Sequence, residues 1–164
     1  MEFEALYRRE VGAIYAFLVR LGAPHAELAD LTHDVFTTAI HKWSTYDAQR
    51  PVRPWLMGIA WRLMSDYRAR KRPEVVDEVP DTADEGANLD ASLDARDAQR
   101  LLLRALAHLD ETKRVAFVMH ELQGLSVAQV SEAMDAPAQT TYSRLRTARE
   151  ELAVAVRRIQ REAP

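Results

Sequence analysis

Six polar side chains near the C-terminus have the types and the spacing of a surface that binds nucleic acid. They are the amide, hydroxyl, phenol and guanidinium groups of Gln139, Thr140, Tyr142, Ser143, Arg144 and Arg146. Amides and hydroxyls match the donors and acceptors of base edges, and guanidinium groups match both guanine and phosphate oxygens. No acidic residue follows until Glu150. We therefore predict DNA binding here, in preference to an ordinary solvated helix face.

The element that presents these side chains is predicted to be the second helix of a helix-turn-helix. Ser126 and Gln129 have the spacing of a capping box, so the first helix should begin at Ser126. Asp135 tolerates left-handed backbone, and Pro137 disfavours helical geometry in the residue before it, so that helix should end near Met134. In the second helix, an apolar stripe should pack against the first. The stripe consists of Thr141, Leu145, Ala148 and Leu152.

The motif PxxTxxSRLxxAR, preceded by the helix start ELxGLS, resembles the promoter-reading helix of bacterial RNA polymerase sigma factors of the extracytoplasmic-function (ECF) class. The resemblance implies that the six polar residues contact the distal element of a promoter. The chain departs from that family at Asp135 and Gln139, where glycine is usual, and at Tyr142, where lysine is common. These departures concern base preference more than the fold.

A second set of aromatic and cationic residues is predicted to serve strand opening. An opened duplex needs a platform for an unstacked base and cations for the exposed strand. The candidates lie in a predicted loop, residues 44–53, and in the helix after it, and they are Arg50, Arg53, Trp55, Trp61, Arg62 and Arg68. Trp61 points away from the Leu56 and Leu63 face, so it either stacks a base or packs against the other domain or a partner. Arg68 is interpreted as a phosphate contact or as part of a solvated helix end.

Three helices with matched apolar faces are predicted to form an N-terminal bundle, over residues 2–21, 24–43 and 54–72. The strings DLTHDVF, RPVRPWLMGIA and DYRARKR, in that order, resemble the sigma domain that binds the polymerase clamp and the upstream promoter element. The resemblance implies that the second helix docks on core RNA polymerase. Its polar side supplies Asp30, Asp34 and Thr37 as candidate contacts, and a solvated helix face is the alternative.

Charge divides the chain into two basic parts and one acidic part. Nine acidic residues and one basic residue fall between positions 74 and 97, which leaves 21 basic and 16 acidic residues elsewhere. The acidic stretch has no apolar periodicity and contains proline and glycine, so we predict a flexible linker over residues 74–91. About 20 residues reach roughly 65 Å when extended, which is nearly two turns of duplex DNA.

The fold class that follows is all-α, with two small helical domains joined by this linker. Residues 1–73 form the three-helix bundle, and residues 92–164 form a four-helix domain that contains the helix-turn-helix. Its first helix should begin near Ser92 and its second at Asp110, ending at Gly124. The first is expected to bury Leu93, Leu101, Leu102, Ala105, Leu106 and Leu109. A shared interior that also buried the surface from Gln139 to Thr147 would contradict this interpretation.

The predicted function is that of a sigma factor that brings core RNA polymerase to promoter DNA and assists strand opening. The sequence offers no nucleophile with a base, no phosphate-binding loop and no cysteine, so we predict no enzyme activity, no cofactor, no metal site and no small-molecule substrate. The charged N-terminus and the absence of a membrane-length apolar run predict a cytoplasmic protein that does not insert into a membrane. The resemblance also implies an anti-sigma partner. The alternatives are a stand-alone helix-turn-helix regulator and a helical adaptor protein.

Overall fold

The computed structural model describes residues 3–71 and 92–164, and every regular element in these two ranges is a helix. The all-α prediction is therefore confirmed for the described residues. The predicted flexible linker, residues 74–91, lies outside them. Within the same ranges, no helix combines the length and the apolar character needed to cross a membrane.

The N-terminal half consists of α1 (Phe3–Arg20), α2 (Leu28–His41) and α3 (Val52–Arg70). Gly22 has a φ of 86°, which a side chain would disfavour, and it lies two residues after the last residue of α1, where it ends the helix as predicted. The third helix begins two residues before the predicted Pro54, because Pro51 precedes it and Pro54 occupies the first turn, where a missing N–H costs no helical hydrogen bond. These three helices pack against one another pairwise.

The C-terminal half consists of α4 (Leu93–Leu106), α5 (Glu111–Phe117), α6 (Val127–Ala133) and α7 (Ala138–Glu162). A π-helical turn, Val118–Leu122, extends α5 towards Gly124. Ser92 and Asp110 cap α4 and α5 as predicted, since each side chain accepts a hydrogen bond from a backbone N–H three residues on. Leu93 was predicted to be buried, and this is wrong: it is 76% exposed. Only the later turns of α4 reach the apolar side of α7, at Leu101 and Ala105.

The helix-turn-helix is formed by α6 and α7. Both hydrogen bonds of the capping box between Ser126 and Gln129 are present, at 3.1 and 2.9 Å. Asp135 has a φ of 51°, which turns the chain out of α6, and Pro137 then precedes the first residue of α7. The predicted stripe is largely confirmed, because Thr141, Leu145 and Ala148 are buried and Leu152 is half-buried. The burial of the first three fixes which side of α7 faces solvent.

The two halves share one continuous hydrophobic interior, which extends from Leu6 to Ala148. The predicted linker left the relative positions of the two domains open, and in this structure the domains pack together. The reason lies in α3, which buries Leu56 and Ile59 and also Met57 and Met64 further round the helix. An apolar surface on more than one side cannot be covered by α1 and α2 alone. The helix α6 packs against α3, and the π-helical turn packs against α1.

Candidate nucleic-acid and polymerase interfaces

The distal surface, defined by the six polar residues of α7, remains open to solvent although the interior is shared. Gln139, Ser143 and Arg146 are exposed, and Tyr142 retains 62% of its accessible surface. Thr140 and Arg144 are half-buried at its sides, as their positions next to the buried stripe require. The structure thus keeps together all the residues that the sequence predicted for DNA binding at this end.

The distal surface lies on the first turns of α7, and buried contacts on the opposite side of this helix hold it in place. Thr141 is fully buried, and its hydroxyl shares a hydrogen bond of 2.8 Å with Ser131 of α6. The first turn of α7 contains no acidic residue. Its free N–H groups and the positive end of the helix dipole therefore add to the attraction of phosphate. Among the described residues, Arg144 and Arg146 take part in no ion pair.

The proximal cluster is defined as the six predicted strand-opening residues. It differs from the distal surface because some of its cations already have partners within the chain. Arg50 forms an ion pair with Glu132, which belongs to α6 of the other half, and it lies 3.8 Å from Asp47. Arg62 makes a long hydrogen bond of 3.5 Å to the carbonyl oxygen of Gly58. Trp55 packs on Tyr46, with ring centroids 4.9 Å apart. The aromatic platform is present, but part of its cationic rim is already paired.

Arg53 is held from within the N-terminal half by Glu10, a carboxylate of α1 that the sequence analysis did not single out. The Nε of Arg53 donates to Glu10 at 2.8 Å, and Arg9 donates to the same carboxylate at 2.9 Å. Burial alone would raise the pKa of Glu10, but the hydrogen bonds from Arg53 and Arg9 outweigh it and lower that pKa. Glu10 is therefore charged at neutral pH, and it fixes the direction of the Arg53 side chain.

Arg68 lies at the seam, by which we mean the boundary between the two halves. Trp61 is half-buried and packs against the shared interior. Arg68 donates a hydrogen bond to the carbonyl oxygen of Leu21, and its Nη1 lies 3.8 Å from Glu111 of α5. Burial lowers the pKa of Arg68, although Glu111 opposes this effect. A fully solvated helix end, one of the two interpretations of Arg68, does not describe this environment.

Arg114 of α5 is a buried cation of the seam that sequence reasoning missed. Only 8% of it is exposed, and its Nε donates to the carbonyl oxygen of Arg20 at 2.8 Å. Burial and the neighbouring charge of Arg68 lower the pKa of Arg114 to about 10. Two cations therefore meet the C-terminal end of α1, where the helix dipole favours positive charge. Nothing in the residue type predicts this burial, because arginine is rarely buried.

A cleft of about 420 Å³ lies where the proximal cluster meets α6. Tyr46 and Trp55 line it on the N-terminal side, together with Arg50 and Arg62. The α6 side chains of Gln129 and Glu132 line it on the opposite side. The cleft thus combines aromatic surface, two guanidinium groups and two carboxylates, of which Asp47 belongs to the N-terminal half and Glu132 to the opposite half.

The predicted polymerase contacts form a third surface, the α2 face, which we define by Asp30, Asp34 and Thr37. Both carboxylates are exposed, and Thr37 is half-buried with its hydroxyl 3.5 Å from Nδ1 of His33. The other side of α2 is buried in the N-terminal bundle. The described ranges contain no group of three or more acidic, histidine or cysteine side chains arranged to hold a metal ion.

Two family profiles match the chain, one in each half. The profile described as "Sigma-70 region 2" matches residues 6–74, and the profile described as "Sigma-70, region 4" matches residues 99–152. Together they account for about three-quarters of the chain.

Similar proteins include the RNA polymerase sigma factor NccH of Alcaligenes xylosoxydans xylosoxydans, which is 24% identical over 92% of this chain and 84% of its own length. The ECF RNA polymerase sigma-E factor of Escherichia coli K12 is 25% identical over 82% of this chain and 76% of its own. Among solved structures, the sigma factor RpoE in its co-crystal with the anti-sigma factor NepR from Bartonella quintana has a TM-score of 0.72 at 22% identity. That match covers 94% of this chain and 96% of the other. The likeness supports the fold.

Proposed function

The chain belongs to the sigma-70 family of RNA polymerase sigma factors, within its extracytoplasmic-function group, and on this premise we propose how its residues direct core RNA polymerase to a promoter. Its function is promoter-directed initiation of transcription. The proposal assigns one surface of the chain to each of three tasks, which are distal-element binding, strand opening and polymerase docking.

The distal surface carries the first task, and its exposure is the observation that supports the proposal most. Gln139 and Ser143 lie at the start of α7, where a recognition helix meets base edges in the major groove. Arg144 and Arg146 are available for phosphate or guanine because they have no acidic partner among the described residues. Thr140 and Tyr142 complete the contact surface.

The proximal cluster carries the second task. Trp55, on its platform with Tyr46, offers an aromatic surface on which a base can stack. Arg50 and Arg62 would neutralise the backbone of the exposed strand. Arg53, Trp61 and Arg68 complete the cluster, and Arg53 is aimed by Glu10.

The α2 face carries the third task. Exposed carboxylates at Asp30 and Asp34 suit a basic partner surface, and Thr37 lies on the same side of the helix. We propose that residues 1–73 and 92–164 are the functional units and that residues 74–91 connect them. An anti-sigma protein is a further proposed partner, and the co-crystal structure of a similar sigma factor with an anti-sigma factor supports it. We propose that the chain acts in the cytoplasm, catalyses no reaction and needs no cofactor.

Run-off transcription on genomic fragments tests the proposed function. Purified chain plus core RNA polymerase should start transcripts at defined sites, and core enzyme alone should not. The same chain should be retained by immobilised core enzyme. If the chain instead ignores core enzyme and binds a palindromic duplex tightly by itself, the proposal is wrong and a stand-alone regulator takes its place.

A further inference from the structure

The cleft at the proximal cluster is closed on one side by α6 of the other half. The helix α6 packs on α3 through the shared interior, and two further contacts lie at the cleft itself. The carboxylate of Glu132 pairs with the guanidinium group of Arg50. In addition, a Cβ atom added at Gly58 of α3 would lie 3.2 Å from the carbonyl oxygen of Ala133, so the two helix backbones approach each other closely at this point.

The cleft has the composition of a site for a single nucleic-acid strand. Aromatic rings stack bases of any sequence, and arginines neutralise the backbone. A guanidinium group binds a carboxylate and a phosphate with the same fork of N–H donors. Glu132 therefore occupies, on Arg50, the place that a backbone phosphate would take, and its negative charge would repel a phosphodiester in the cleft.

The ion pair is weak enough to be exchanged, and release of α6 must in addition break its apolar packing on α3. The Arg50 and Glu132 side chains remain 59% and 65% exposed, and exposed ion pairs contribute little to stability. Asp47 also lies near Arg50 and belongs to the same half, so a strand that presents several phosphates and bases has to replace only the carboxylate of Glu132. Meanwhile the distal surface lies on the solvent side of α7 and is left open by the same arrangement.

We propose that α6 is an internal competitor for the opened promoter strand, with Glu132 standing in for a phosphate on Arg50. The closed chain can then bind duplex DNA through the distal surface, but strand capture requires α6 to leave the cleft. This inference rests on the proposed function, because it takes Arg50 and the cleft to be part of the strand-binding site.

The first test measures binding of a fluorescent single-stranded oligodeoxynucleotide to the full chain by anisotropy. Glu132→Gln removes the competing charge, keeps the side-chain size and adds no cation, so the strand should bind about twofold to fivefold more tightly than to the wild-type chain. Glu162→Gln is the matched control, because it makes the same change at an exposed ion pair near the end of α7. Equal affinities for the two variants would overturn the proposal.

A second variant changes no charge. Gly58→Ala places a methyl group against the Ala133 carbonyl, which should push α6 away, and alanine is the better helix former in α3. The strand should again bind more tightly than to the wild-type chain. Weaker or unchanged binding to this variant, with the helical content retained, would contradict the claim that α6 covers the cleft.

The distance between the halves gives an independent measurement. The sequence contains no cysteine, so Ala26→Cys and Ala153→Cys, both at exposed positions, allow two spin labels to be attached without side reactions. Saturating oligonucleotide should shift the distance distribution to longer values, and Glu132→Gln should shift part of it without the strand. A strand that binds while the distances stay unchanged would overturn the proposal.

Failure of this inference is distinguishable from failure of the proposed function. If Glu132→Gln and Glu162→Gln behave alike in strand binding, yet both support run-off transcription with core enzyme, then α6 is no competitor and the sigma-factor function stands. If no form of the chain initiates transcription or binds core enzyme, the proposed function itself is wrong.

Discussion

Arg144 and Arg146 on α7 have no ion-pair partner among the described residues, whereas Arg50, Arg53 and Arg68 in the N-terminal half each lie near a carboxylate. Both sets were predicted from composition to contact DNA. The difference follows from their positions relative to the shared interior. The helix that carries the distal surface packs on the interior with one side and exposes this surface to solvent on the other. Most of the proximal cluster instead borders the seam, where the other half supplies Glu132 and Glu111.

The comparison indicates that closure of the chain affects its two proposed DNA-binding regions unequally. A surface at the outer side of a packed helix keeps its exposure when two domains meet. A surface at the edge of the contact between the domains loses part of its exposure. Three substitutions and one pH dependence test this difference. The largest expected effect is a loss of stability from a substitution at the seam.

Gly22→Ala should destabilise the seam most. Its left-handed backbone costs an alanine about 1–2 kcal/mol, and its Cβ would lie 2.9 Å from the Arg114 guanidinium group, which must then shift and strain its bond to Arg20. We expect a total loss of about 2–4 kcal/mol in the free energy of unfolding, measured in urea. Gly124→Ala is the matched control, since it also has a positive φ but open space around its Cβ. Equal losses would mean that Arg114 does not hold the seam.

Asp34→Arg should weaken binding to core RNA polymerase by roughly tenfold or more, because it places a cation against the proposed basic partner surface. The α2 face is exposed in the closed chain, so this effect should not depend on whether the halves are apart. Retention on immobilised core enzyme and run-off transcription measure it. Asp66→Arg makes the same charge change at an exposed position of α3 and should assemble normally. Normal assembly of Asp34→Arg would remove the α2 face from the proposal.

Arg144→Ala should weaken binding to a duplex that carries the distal element, and it should lower the slope of log affinity against log salt by about one. The reason is the loss of one phosphate contact. Arg158→Ala, further along α7 and paired with Glu162, is the control. Because the distal surface is open in the closed chain, these results should be the same in a Glu132→Gln background. An unchanged salt slope for Arg144→Ala would argue against the contact.

The smallest expected effect concerns Glu10, which orders Arg53 from inside the N-terminal half. Since the pKa of Glu10 is lowered in the folded chain, its contribution to stability is complete above the ordinary carboxyl value of 4.5 and disappears as the pH falls through the lowered value. Urea unfolding across this range should show a decline for the wild-type chain and a smaller decline for Glu10→Gln. Identical pH profiles would mean that Arg53 does not depend on this carboxylate.

Local features of the fold could be predicted because they depend on neighbours in the sequence. The capping box at Ser126, the left-handed turn at Asp135 and the stop at Gly22 each follow from a few adjacent residue types. The exposed side of α7 was predictable for the same reason, since its buried stripe fixes its orientation. The roles of all the candidate residues remain predictions that the experiments above test.

The seam could not be predicted, because it depends on which surfaces meet across a long sequence separation. Helical periodicity identified Leu56 and Ile59 as one inward face of α3. Met57 and Met64 form a second apolar face, which is recognised only when apolar residues on every side of the helix are considered. Gly58 was a possible signal, because glycine within a helix often marks a close backbone approach. The burial of Arg114 could not be predicted from residue types, since its partner is a backbone carbonyl oxygen, which every residue has.

The length of α7 connects its two ends mechanically. Its 25 residues make a rod of about 37 Å, with the distal surface on its first turns and Ala155 and Ile159 packed on α4 near its last. A tilt of about 5° imposed at the α4 end would displace the opposite tip by roughly 3 Å, close to the rise of one base pair.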